Sequence, residues 1–157
     1  MPRQLWRVVL VVALWALPAI GSVIAEPPVG PPDLTKESKV DHELTYNLGA
    51  TGLRGWIYSK PATHFDGLQG RTTAGSRQIL VTHVGSKSPA DGVLQVGDVI
   101  LGAGGHAFPD DARKSLAIAI QEAEKESNGG VLVLTRWRAG QTEEVRLKLR
   151  VMGTYAD

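Results

Sequence analysis

Polar and apolar positions alternate over residues 42–48, so that Leu44, Tyr46 and Leu48 fall on one side of an extended chain. A period of two is that of a strand with one buried face. Trp56, Ile57 and Tyr58 form a short aromatic and β-branched run, again strand-like. Residues 61–77 are polar, contain Gly67, Gly70 and Gly75, and read as a long loop. The apolar run 79–84 predicts a central strand, and 99–101 another, ended by Gly102, Gly104 and Gly105. After Pro109, Asp110 and Asp111 the period changes. A proline and two acids suit the positive end of a helix, and Ala112, Leu116, Ile120 and Ala123 then share one helical face. Asn128, Gly129 and Gly130 allow left-handed backbone angles and should end that helix. Two last strands, 131–137 and 144–151, are joined through Ala139 and Gly140. In the second, Val145, Leu147, Leu149 and Val151 face one way and Arg146, Lys148 and Arg150 the other, which is a hairpin with one wet face.

The N-terminus follows a different pattern. Arg3 and Arg7 precede an uncharged run, 8–25, broken by Pro18 and Gly21 and ending on the compact residues Val23, Ile24 and Ala25. This is the layout of an export signal cleaved after Ala25; the alternative is an uncleaved anchor, since the run reaches the lower edge of spanning length. Residues 26–41, with Pro27, Pro28, Pro31 and Pro32, read as a stiff linker. A folded domain is expected over 42–151 and a short tail over 152–157. The protein is therefore expected to be exported, to the periplasm or the extracellular space, touching the membrane only through an uncleaved leader.

Composition narrows the chemistry. The net charge of +1 at pH 7 is spread without a basic stretch, and once Arg3 and Arg7 are set aside fifteen bases face sixteen acids. Nucleic-acid binding loses its usual electrostatic basis. The absence of cysteine excludes disulfides and thiolate metal sites. His42, His64, His83 and His106 match no ligand spacing. Ser76, Ser86 and Ser88 sit in no nucleophile elbow, and His64 with Asp66 is more readily a solvated surface pair than an acid–base couple. No enzyme, cofactor or metal site is expected.

Ser88, Pro89, Ala90, Leu94, Gly97, Asp98 and Ile100 carry a resemblance. They are similar to the turn motif of the PDZ family, Ser-Pro-Ala, then Leu, then Gly-Asp-x-Ile, with one residue fewer than usual between Ala90 and Leu94. The resemblance extends over roughly 42–151. It implies a mainly β fold with two helices, a partly open barrel of five to six strands capped by one long and one short helix. It also implies a function: a partner's C-terminus or extended segment adds as a strand between the second strand and the long helix, by β-augmentation. The terminal carboxylate is held by main-chain N–H groups of a glycine-containing loop. That loop is expected at Gly52, Leu53, Arg54, Gly55 and Trp56, followed by Ile57 and Tyr58 as the docking strand. Asn47, Leu48, Gly49 and Ala50 offer an alternative register. By family spacing Arg113, Ala117 and Gln121 face the groove. Arg113 cannot accept a hydrogen bond, so it favours an acidic peptide side chain over a hydroxyl. The other functional reading is the regulatory PDZ portion of a larger secreted protease or hydrolase.

Overall fold

Nine strands, one α-helix and two 3-10 turns make up the computed structural model, which describes residues 30–36, 43–63 and 69–152. The strands are β1 (Thr45–Asn47), β2 (Leu53–Trp56), β3 (Lys60–Thr63), β4 (Gln69–Thr72), β5 (Ile79–Val84), β6 (Val99–Ala103), β7 (His106–Ala107), β8 (Val131–Arg138) and β9 (Gln141–Lys148). The helix, α1, is Ala112–Ala123. The main sheet runs β1-β2-β5-β6-β8-β9 with every neighbour antiparallel, and β7 pairs with β6. It does not close on itself: β1 and β9 are its two edges. The architecture is thus a mainly β fold with a single helix and an open antiparallel sheet.

The apolar positions that alternate in sequence meet on one face of this sheet. Leu53, Ile79, Val81, Ile100, Leu132, Leu134 and Leu147 are buried there. From the other side α1 contributes Ala112, Leu116, Ile120 and Ala123, the face its period predicts. Each fully buried aliphatic side chain of this size contributes about 1.5–3 kcal/mol relative to exposure. Asp111 caps the helix, its side chain accepting from Arg113 N–H at 3.1 Å and Lys114 N–H at 3.2 Å. The β8–β9 hairpin turns through Ala139 and Gly140, both at positive φ (47° and 83°), the geometry whose twist matches paired strands. At the Gly-Asp turn Gly97 takes φ 95°, Leu94 is buried in the core, and Asp98 is fully enclosed.

Other expectations are corrected. Part of the predicted loop 61–77 is a hairpin, β3–β4, forming a second, two-stranded sheet. Its strands, Lys-Pro-Ala-Thr and Gln-Gly-Arg-Thr, lack the apolar alternation that reveals a half-buried strand. The short helix that the resemblance implies has no second α-helix to match it among the described residues; the stretch from Ser88 is a run of hydrogen-bonded turns, with Ala90 N–H donating to Thr51 O at 3.2 Å and Leu94 N–H to Ala90 O at 2.9 Å. Helix α1 stops at Ala123, well short of Asn128, because Lys125 is extended (φ −64°, ψ 146°) and Gly130 N–H closes back on Ala123 O at 2.8 Å. The final strand begins at Gln141 and ends at Lys148, leaving Val151 exposed.

The proposed leader, much of the linker and residues 153–157 lie outside the described residues. Where the linker is described it does not stand away from the domain. Leu34 is buried, and its N–H donates to Gln78 Oε1 at 2.6 Å. Among the described residues no helix is long and apolar enough to cross a membrane.

Candidate functional site

Between the first strand and the helix the chain turns back on itself, and the candidate groove lies there. Leu48 N–H donates to Leu53 O at 3.0 Å, and β1 pairs with β2 in the register Thr45–Trp56, Tyr46–Gly55, Asn47–Arg54. The connection is a 3-10 turn, Gly49–Thr51, closed by Gly52 in the left-handed region (φ 77°). Asn47 Oδ1 accepts from Gly49 N–H at 2.9 Å, a side-chain mimic of a backbone turn. Buried Thr51 donates its hydroxyl to Leu48 O at 2.9 Å and accepts from Leu53 N–H at 3.2 Å. The turn is therefore built from its own polar groups.

Strand β2 is in consequence paired on both sides, with β1 on one and β5 on the other. The edge at which the sequence reading places a guest is occupied by the chain's own residues. Leu48 is 4% exposed and belongs to the core. Tyr46 packs against that core, and the Arg113 guanidinium lies 4.8 Å from the centre of its ring, a cation–π distance. Arg54, placed by the resemblance in the carboxylate-binding loop, donates its side chain to β1, from Nε to Thr45 Oγ1 and from Nη2 to Thr45 O, both at 3.1 Å.

The remaining predicted site residues divide into two groups. Arg113, Ala117 and Gln121 do share a groove of about 400 Å³, which they line together with Asn47, Leu48, Gly49 and Ala50. The turn facing the helix is therefore the alternative register. Gly52, Leu53, Gly55, Trp56, Ile57 and Tyr58 do not line it. Leu53 and Ile57 are core residues. Trp56 and Tyr58 border a different hollow of about 310 Å³, against Pro31, Pro32 and Leu34. Gly52 is there for close approach: its carbonyl accepts from Gly85 N–H at 2.9 Å, and an added Cβ would fall 2.1 Å from Ser88 Cβ. Gly55 is likewise a packing glycine, since a Cβ would meet Ile79 Cγ2 at 2.5 Å and Leu80 O at 3.2 Å.

Tyr46 was placed in a strand but not at the site by sequence reasoning, and Leu48 entered the site only through the alternative register. Their signal was present in the alternation of 44, 46 and 48; what it lacked was any indication of which neighbour that strand joins. Of the histidines considered, His83 and His106 are both exposed, His83 lying opposite Arg54; His42 and His64 lie outside the described residues. Compared with known family models and with curated proteins, the chain matches none.

Proposed function

We propose that the chain is an exported, PDZ-like protein-interaction module whose peptide seam is held by its own segment 44–48, and that a partner's C-terminal or extended segment binds by exchanging with it. The turn motif Ser88 to Ile100 supports the family reading, and the pattern of residues 1–25 supports export. One observation carries the exchange. A three-residue strand lies antiparallel on β2 and beside α1, with Leu48 sunk in the core and Tyr46 under Arg113. Such a strand satisfies the amide and carbonyl groups that β-augmentation would otherwise leave for a guest. When it leaves, Arg113 loses its aromatic partner and is free to take an acidic side chain at the same place.

A reversible lock tests this. Because Leu48 and Leu53 form a hydrogen-bonded pair, Asn47 and Arg54 form the adjacent non-bonded pair, whose Cα atoms are about 4.5 Å apart, within disulfide range. The chain has no native cysteine to interfere. Asn47→Cys/Arg54→Cys is screened against a library of C-terminal peptides bearing free carboxylates. The expected result is binding by the reduced protein that is lost on oxidation and regained with reductant. Equal binding in the two states overturns the exchange. Peptide binding by neither state, nor by wild type, means a closed scaffold and overturns the peptide-binding role.

A further inference from the structure

The opposite edge of the sheet points to a second interaction. Strand β9 is the terminal strand, and among the described residues its only strand partner is β8. Leu149 N–H donates to Gly130 O at 2.7 Å, which sets the alternation of the ladder. Residues 143, 145 and 147 direct their main-chain groups to β8. Thr142, Glu144, Arg146 and Lys148 direct theirs outward, and all four are exposed.

Edges of this length are commonly blunted by proline, a bulge, a covering segment or charged side chains, and of these β9 carries charges alone, Glu144, Arg146 and Lys148. Strand β9 contains no proline, and its register with β8 runs unbroken from Val131–Lys148 to Arg138–Gln141. Its outward residues instead alternate in a self-complementary way. An antiparallel copy placed about a two-fold axis at Val145 sets Glu144 against Arg146 of the partner subunit and Thr142 against Lys148 of the partner subunit. Moving the axis to residue 144 opposes Glu144 to itself, and moving it to 146 opposes Arg146 to itself. Only the axis at Val145 leaves the central positions matched in sign. Neither Glu144 nor Arg146 has an ion-pair partner among the described residues, whereas Glu143 is engaged by Arg136.

We propose that two copies of this chain associate edge to edge through β9, antiparallel about Val145, so that their sheets become continuous. The interaction is independent of the peptide seam, which lies at the other edge.

Sedimentation velocity on the full chain over a concentration series tests the pairing, with near-ultraviolet circular dichroism as the check on folding. Wild type is expected to pass from monomer to dimer. Glu144→Arg and Arg146→Glu each oppose like charges at two symmetric places, and each should weaken association at least about tenfold. The double variant Glu144→Arg/Arg146→Glu restores the signs and should restore the dimer. Arg146→Pro removes an outward N–H without removing a bond to β8 and should leave a folded monomer. A wild type that stays monomeric throughout overturns the proposal. So does association equal in all variants, or a loss in the single variants that the swap does not recover.

Discussion

Asp98 is fully buried, and a lone carboxylate there would be strongly disfavoured. Arg138 answers it with a two-pronged contact, Nε to Oδ1 at 2.6 Å and Nη2 to Oδ2 at 2.7 Å. Gln95 N–H donates to Oδ2 at 2.9 Å, so the same carboxylate holds the turn before β6 to the hairpin that follows α1. That hydrogen bond with Asp98 is also the main cause raising the Arg138 pKa above its ordinary value. The acid of the Gly-Asp motif is thus a structural tie. Asp98→Ala leaves the Gln95 amide unpaired and returns the Arg138 guanidinium, a third exposed, to solvent, and is expected to lower stability by about 1–3 kcal/mol, read as a fall in the urea midpoint. Replacing both partners, Asp98→Leu with Arg138→Met, should cost less than Asp98→Ala alone, because no unpaired charge remains.

Among the elements, the short segment 30–36 has the clearest pH dependence. Thr35 Oγ1, at 2.7 Å, and Gln78 Nε2, at 3.1 Å, both donate to Asp33 Oδ1, while Lys36 pairs with Oδ2 at 3.1 Å. These bonds, that from Thr35 foremost, hold the Asp33 carboxyl well below the usual carboxylate range. A depressed pKa favours the docked state above the free value of about 3.9, and that contribution fades as pH falls through the folded value. Acidification from neutrality to below about pH 3 should therefore loosen the Leu34–Gln78 contact before the sheet unfolds. Amide exchange at Leu34 reports it, and in Asp33→Asn the contact should be weak already and nearly insensitive to pH over that range. The β3–β4 arm is a different case. It forms its own sheet, stabilised at its base by Arg71, which donates to Ser59 Oγ at 2.8 Å and to Ser59 O at 2.6 Å. Its amides are expected to exchange by local opening, while those of β5, β6 and β8 exchange only on global unfolding. Hydrogen exchange with a denaturant series separates the two.

Over the whole molecule, the parts legible in the sequence are those in which one residue determines its own environment. The helix face, the Ala139–Gly140 turn and the Gly97–Asp98 turn each follow from local rules, and each stands where the pattern put it. The β3–β4 arm was not legible because its polar, glycine-bearing strands carry no buried face. The site was legible on one side only. The spacing that the resemblance implies put Arg113, Ala117 and Gln121 together, and they line one groove, but the strand facing them depends on pairing, and a strand's partner is not encoded in its alternation. Gly52 and Gly55 suited an anion-holding bend as well as they suit close packing, since glycine serves both. The way β1 is joined to β2 has a consequence of its own. Strand β1 is joined to β2 by a few residues, so in the proposed exchange it would compete at an effective concentration on the order of millimolar. A free rival making only equal contacts would be outnumbered at micromolar levels. Under the proposed exchange a guest strand would have to bring more than β1 offers, and the tether would act as a threshold that screens out casual chain ends.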